Sequence, residues 1–338
     1  MLCRQHKKRK QMQIIKTGIV GGAGYTGGEL IRLLLQHPYA QISFVHSRSN
    51  AGKPVYTVHS DLLGDTELTF TDTISEDIDV LFLCLGHGES FTFLQEHTIP
   101  AHIRVIDLAN DFRLKAQSAT ASRQFVYGLP ELNKTAISAA QSVANPGCFA
   151  TAIQLGLLPL AAKGLLGESY ITGITGSTGA GQSLSATGHF SWRANNIQAY
   201  KTLTHQHLAE ISESLAQLQE GYTQQDIHFV PWRGDFQRGI FVSSQVKCNA
   251  APDTITAWYE DFYKDHPFVH LSATPVHLKQ VVNTNKCILQ LEQEGDQLVI
   301  HSVIDNLIKG AAGQAIQNMN LMMQLPETSG LYLKPTAF

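Results

Sequence analysis

A cysteine that follows Asn-Pro-Gly and opens an apolar run is placed for nucleophilic chemistry, and Cys148 is such a residue: positions 143–159 read VANPGCFATAIQLGLLP. Pro146 fixes φ and Gly147 permits a sharp turn, so the order predicts a strand, a tight turn and a helix whose first turn carries the thiol. The positive end of a helix dipole and the free N–H groups of that turn favour a thiolate. The same donors can hold the oxyanion formed when the thiolate attacks a carbonyl. The other four cysteines read as packing residues. Cys84 lies in an apolar run, Cys248 and Cys287 in strand-like runs, and Cys3 in a polar tail.

A cysteine nucleophile needs a proton carrier for the thiol and for the carbonyl oxygen, and histidine titrates in the right range. His205-Gln206-His207 stands at the front of a predicted helix that runs to about Glu220, shortly after Tyr200. Residues two apart do not share a helix face, but both enter one pocket if they straddle a loop and a first turn. No further ligand lies at zinc spacing, so no metal is expected.

These groups need a scaffold. An apolar strand at 14–20 runs into Gly21, Gly24, Tyr25, Thr26 and Gly27, and a helix follows at 29–37. Strand, glycine turn and helix make a pyrophosphate site with phosphate on the helix N-terminus. The second strand, 42–46, ends in Ser47-Arg48-Ser49. A hydroxyl and a guanidinium where an NAD site carries an acid suit a 2′-phosphate, which predicts NADP(H) as cofactor. Strands at 79–85 and 104–108 open loops at their carboxyl ends, making His87, Ser90 and Arg113 site candidates. Arg113 either grips a carboxylate or phosphate of the substrate or pairs with Asp111 or Asp107. Residues 127–131 read as a surface turn before Ser142–Ala144, the strand that delivers Cys148.

Beyond Cys148 the pattern changes. Ser169–Thr175 is a strand followed by Gly-Ser-Thr-Gly-Ala-Gly at 176–181. Its backbone N–H groups suit an anion, with Ser177 and Gly179 on the cofactor side, or it is a plain linker. Strands at 227–230, Ile240–Lys247, 286–291 and Gln297–Ile304, with a helix at 253–264, predict a mixed sheet. The helix at 311–325 has few charges and must be covered, which brings it back to the first domain. The expected fold class is an α/β Rossmann domain, 12–147 with a returning 311–338, plus an α+β catalytic and dimerisation domain, 148–310.

Composition agrees with a globular protein of two domains: 338 residues, 43% hydrophobic and 16% charged, with a formal net charge of -3. That charge gives no reason to expect a nucleic-acid partner. No apolar run approaches the roughly 20 residues that cross a bilayer. Five cysteines without a CxxC pair fit a reducing compartment, so the cytoplasm is the expected location. The basic tail at 1–11 lacks the apolar segment of an export signal and reads as disordered, with Met12 an alternative start.

The blocks GIVGGAGYTGGELIRLLLQHP, HSRSNAGKPV, VIDLANDFRL, YGLPEL, NPGCFATAIQLGLLPL and DNLIKGAAGQAIQNMNLM resemble the N-acetyl-gamma-glutamyl-phosphate reductases of the semialdehyde dehydrogenase superfamily. The resemblance runs from about Ile14 to the C-terminus. It implies NADPH-dependent reduction of N-acetylglutamyl phosphate to the semialdehyde with release of phosphate, a step of arginine biosynthesis. Cys148 then forms a thioester, and His205 and His207 act as acid and base in an order left open. It also implies a homodimer or homotetramer, and a C-terminal helix that brings Asn306 and Asn318 near the nicotinamide. Asn145, Tyr200, Arg113 and Arg238 are the expected substrate contacts, with Arg193 another candidate for the α-carboxylate. In one place the chain departs from the family pattern: Pro231-Trp232-Arg233-Gly234-Asp235 replaces Pro-His-Leu. A tryptophan and an added arginine there could admit a different acyl group, such as N-succinyl. Reductases of aspartyl or aminoadipyl phosphate, and a non-catalytic NADP-binding protein, remain as alternatives.

Overall fold

The computed structural model describes residues 14–336. The expected tail at 1–11 and the alternative start at Met12 lie outside the described residues. The first half is a seven-stranded sheet: β1 (Ile15–Val20), β2 (Ala40–His46), β3 (Phe70–Thr71), β4 (Val80–Leu83), β5 (Arg104–Asp107), β6 (Phe125–Tyr127) and β7 (Ser142–Ala144). Its order is β3-β2-β1-β4-β5-β7-β6, and every pairing is parallel. Such a sheet is buried on both faces, which is why β4 reads as an unbroken apolar VLFL. The strand order reverses between β1 and β4, and the crevice at their carboxyl ends is where a doubly wound sheet binds its ligand.

Three helices belong to this half: α1 (Tyr25–Leu35), α2 (Glu89–Glu96) and α3 (Pro130–Ala139). Residues 127–131 are not the expected surface turn. Phe125–Tyr127 is the edge strand, and Pro130, with its φ already fixed and no N–H to lose, opens α3.

The second half is another seven-stranded sheet: β8 (Ser169–Thr175), β9 (Gln198–Ala199), β10 (Ile227–Arg233), β11 (Ile240–Lys247), β12 (Val269–Leu271), β13 (Cys287–Glu294) and β14 (Gln297–Ile304). Its order, β12-β13-β14-β11-β8-β10-β9, mixes parallel and antiparallel pairs. The helices here are α4 (Cys148–Ala162), the single turn α5 (Phe190–Arg193), α6 (Leu208–Leu215) and α7 (Pro252–Tyr263). One face of the sheet packs on α4, α6 and α7 through Phe149, Ile153, Ile211 and Tyr259 against Ile171, Phe229, Val242 and Ile300. α4 is apolar on all sides, with buried residues from Phe149 to Ala161, because it lies between this sheet and its covering helices.

The last helix, α8 (Gly313–Met322), follows a wide π-turn at Ile308–Ala312. Ala315, Ile316 and Met319 share one core with Leu30 of α1, Ile106 of β5 and Ile137 of α3. The chain therefore crosses between the halves twice.

Candidate active site

β1 ends in the glycine turn. Gly21 adopts φ +78°, and a Cβ there would lie 2.3 Å from the Cys84 carbonyl oxygen. A Cβ on Gly27 would meet Gly22 at 2.7 Å, so α1 can approach its strand only with glycine at both positions. Gly24 is the N-cap of α1, and beyond its own turn oxygen nothing lies within 4 Å of where its Cβ would be. That open backbone at a helix N-terminus, beside Tyr25 and Thr26, fits a pyrophosphate. At the end of β2, Ser47 is buried and Arg48 is exposed, with no carboxylate partner among the described residues. These groups fit the 2′-phosphate of NADP.

A cavity of about 600 Å³ runs from Gly24, Tyr25 and Thr26 past Gly86 and His87 to Cys148. Arg113, Asn145, Tyr200, His205 and His207 also line it. Cys148 is the first residue of α4, after the N-cap Gly147. A thiolate at that position was expected, but burial pushes the thiol up to about 11. The Phe149 N–H and the Arg113 guanidinium pull the other way without prevailing. The dipole and donors are present, and in a dry site desolvation outweighs them. The thiol therefore needs a neighbouring base.

His207 lies beside the cysteine turn and lines the same cavity as Cys148. A Cβ on Gly147 would fall 2.3 Å from His207 Nε2, so only glycine lets the imidazole approach the cysteine turn. Burial first, and then the Arg113 cation, hold His207 well below its ordinary value. His205 packs edge-on against Phe149, Tyr200 and Phe229, with ring centroids 5.5–5.8 Å away. This burial, followed by the neighbouring His207, lowers it to about 3. Both rings are thus neutral near pH 7. His205 Nδ1 accepts the His207 N–H at 3.2 Å, which leaves the His205 proton on Nε2. Nδ1 of His207 is buried and has no partner among the described residues.

The centre of the network is Glu210, which sequence reasoning missed. Its Oε1 accepts from Arg113 at 3.1 Å and lies 3.7 Å from His207 Nε2. Its Oε2 accepts the Tyr127 hydroxyl at 2.8 Å and the Gly147 N–H at 3.1 Å. The signal was the spacing His207-x-x-Glu210, which puts the two on one helix face. Arg113 pairs with Glu210, not with Asp111 or Asp107, and it also donates to the carbonyls of Asn145 and Leu108.

Several expected contacts fall elsewhere. Arg238 does not line the cavity: its guanidinium is forked onto Asp305 and reaches Glu29 of α1 at 2.8 Å. Asn318 is fully buried outside the cavity and donates to Gly128 and Asn145. Asn306 does line it, but donates to Thr178 and accepts from Gly239. The 176–181 loop is not an open anion nest. Its N–H groups at Gly176, Ser177 and Thr178 donate to Gly239, Phe236 and Gln237, while Gly179 lines the cavity. Ser177 faces a second cavity of about 590 Å³. Trp232 lies within β10 opposite Ala199 and lines neither cavity, whereas Arg233 lines both.

Residues 16–140 match the semialdehyde dehydrogenase NAD binding domain, and 148–306 match the semialdehyde dehydrogenase dimerisation domain. The N-acetyl-gamma-glutamyl-phosphate reductase of Flavobacterium johnsoniae is 54% identical over 326 residues, covering 96% of this chain and 100% of that protein. The reductase of the same name from Bacteroides thetaiotaomicron is 54% identical over 327 residues, with the same coverage. The chain belongs to the N-acetyl-gamma-glutamyl-phosphate reductase family. Solved structures with the same fold include aspartate semialdehyde dehydrogenase II of Vibrio cholerae, with TM-score 0.72, 16% identity and coverage of 92% of this chain and 99% of that one. Another is the Candida albicans aspartate semialdehyde dehydrogenase with NADP, at TM-score 0.67, 13% identity and coverage of 92% and 98%. Membership of the reductase family makes the protein an NADP-dependent oxidoreductase. Among the described residues no helix is long and apolar enough to cross a membrane.

Proposed function

We propose that this protein reduces N-acetyl-L-glutamyl 5-phosphate to N-acetyl-L-glutamate 5-semialdehyde, releasing phosphate, as a step of arginine biosynthesis. The observation that carries the proposal is Cys148 at the head of α4, at the far end of the cavity that begins at the glycine turn, with two neutral histidines beside it. Cys148 Sγ attacks the acyl carbon and phosphate leaves, giving a thioester. His207, neutral and with an unpartnered Nδ1, takes the thiol proton, and the leaving phosphate carries a proton away. NADPH, held along the glycine turn with Ser47 and Arg48 at its 2′-phosphate, supplies the hydride when bound. The N–H groups that begin α4 and the His205 Nε2–H donate hydrogen bonds to the oxyanion. The oxyanion then collapses to the aldehyde and expels the Cys148 sulfur, which takes up a proton from solvent through His207. Arg113, fixed by Glu210, lines the cavity with N–H groups left over for the substrate carboxylate.

The assay is phosphate-dependent reduction of NADP by N-acetylglutamate semialdehyde, with wild type and Cys148→Ser. Turnover that vanishes in the variant, with NADP still bound, is the expected result. Turnover that survives would remove Cys148 from the chemistry.

One observation favours a wider choice of acyl group. The second cavity adjoins the first and is lined by both Arg193 and Arg233. Arg193 Nε and Nη1 are buried without a partner among the described residues, and the Arg233 guanidinium lies 4.7 Å over the Tyr200 ring. Two cations there favour an acyl group that ends in a carboxylate, such as N-succinyl. A clear kinetic preference for the acetyl compound would exclude it. Self-association, as a homodimer or homotetramer, is supported by the match to the dimerisation domain.

A further inference from the structure

Arg238 was expected at the substrate and is found between the cofactor helix and the nucleophile. Asp305, fully buried, sits at the start of the turn that leads into α8. Its Oδ1 accepts the N–H groups of Leu307 and Ile308 at 2.8 and 2.9 Å, and its Oδ2 accepts that of Asn283 at 2.8 Å. Its carbonyl accepts the Gly310 N–H at 2.9 Å, so this one residue determines the shape of the turn. Gly310 in turn lies against the nucleophile: a Cβ there would be 2.7 Å from Cys148 Cβ. Any movement of the turn is therefore felt at Cys148.

Arg238 grips the same carboxylate through Nε and Nη2, at 3.1 and 3.2 Å. Its remaining arm, Nη1, donates at 2.8 Å to Glu29, which is buried on α1 one turn beyond Tyr25. Ala312, from the same turn, packs in the core that holds Leu30 and Ile31 of α1. A phosphate on the α1 N-terminus thus acts on a helix that is rigidly tied, through two charge-assisted contacts, to the turn behind the cysteine. We propose that Arg238 is a positioning residue that couples occupancy of the cofactor site on α1 to the reactivity of Cys148. The chemistry gives this a use: a thioester formed with no reductant in place is exposed to hydrolysis.

This inference rests on the proposed function only in assigning the cofactor to α1 and the chemistry to Cys148. Its test avoids turnover. Cys148 is alkylated with iodoacetamide, with and without 2′-phospho-ADP-ribose, which fills the pyrophosphate half of the site but has no nicotinamide ring to cover the thiol. In wild type the fragment is expected to change the alkylation rate at least threefold. Glu29→Met cuts the arm to α1, together with the Arg32 contact on the same oxygen, and leaves the Arg238 fork on Asp305. It is expected to bind the fragment, melt as a folded protein and show no change in rate. Arg238→Lys, which retains one ionic contact, gives an intermediate response and serves if Glu29→Met does not fold. A wild type whose rate ignores the bound fragment overturns the proposal, as does a Glu29→Met or Arg238→Lys variant with the full wild-type response. Failure of the function instead appears as absent turnover with the alkylation response intact.

Discussion

Glu210→Gln isolates the residue on which the site geometry turns. The carboxylate serves three donors at once: Arg113 on one oxygen, Tyr127 and the Gly147 N–H on the other. An amide cannot do this, because its NH2 group must face a donor in either orientation. With the NH2 toward Arg113, a buried cation loses its partner, which costs about 3–5 kcal/mol. With the NH2 toward Tyr127, the hydroxyl can rotate to accept, but the Gly147 N–H is orphaned at about 1–3 kcal/mol. The second arrangement is cheaper, and weakening the charged contact to Arg113 adds to it, so a stability loss of about 2–4 kcal/mol is expected in urea. Gly147 is the residue before the nucleophile, and its displacement moves Cys148 relative to His207. A misplacement of about 1 Å costs on the order of 100-fold in rate. The assay is kcat/KM for N-acetylglutamate semialdehyde with NADP, beside NADP affinity, which should be unchanged. A variant with kcat/KM within about threefold of wild type would refute the assignment of Glu210 as the residue that sets the nucleophile and its base.

Other outcomes can be measured independently. Replacing the exposed Arg48 with Gln removes a charge-assisted contact of about 1.5–3 kcal/mol, so the NADPH KM should rise by about 10- to 150-fold while that for NADH stays level. Lys309 is fully buried and donates to Glu131 at 2.7 Å and Gln317 at 3.0 Å; burial opposes ionisation of Glu131, but the lysine still holds its carboxyl below the usual range. Lys309→Met should cost about 3–5 kcal/mol in denaturant, much of it recovered by adding Glu131→Leu. The His205 ring, lowered to about 3 from an ordinary 6.5, refuses a proton that the unfolded chain accepts. Stability therefore falls as pH drops below 6.5, by about 1.4 kcal/mol per unit and about 2 kcal/mol at pH 5. Urea midpoints at pH 7.5 and 5 should differ less in His205→Asn, and an equal difference would contradict this origin.

What could be read in the sequence was local. The glycine turn, the helix headed by Cys148 and the strand Ser169–Thr175 each depend on neighbours a few residues away, and they stand where expected. Roles set by distant partners were misread. Arg238 depends on Glu29 and Asp305, 209 and 67 positions away, and nothing near it in the chain reveals them. Asn318 reaches back 190 positions to Gly128. The loop at 176–181 reads as free because the loop that takes up its N–H groups, at 236–239, lies about 60 residues on. Glu131 reads locally as a turn residue, yet its lysine is 178 positions away. The high thiol value of Cys148 could not be foreseen either, since the dipole is a property of the helix and the dryness a property of everything around it.

The return of α8 to the first sheet has a consequence for how the chain is made. Ala315, Ile316 and Met319 complete the core under α1, β5 and α3, yet they follow the whole second sheet in sequence. As the polypeptide leaves the ribosome, the parallel sheet must wait with an apolar face uncovered until some 170 further residues have emerged, from Ala144 to Gly313. The nucleotide-binding half is thus no fragment to be cut at the cysteine and expressed alone. Melting should likewise be a single cooperative event, because separating the halves strips the first of a helix it cannot replace.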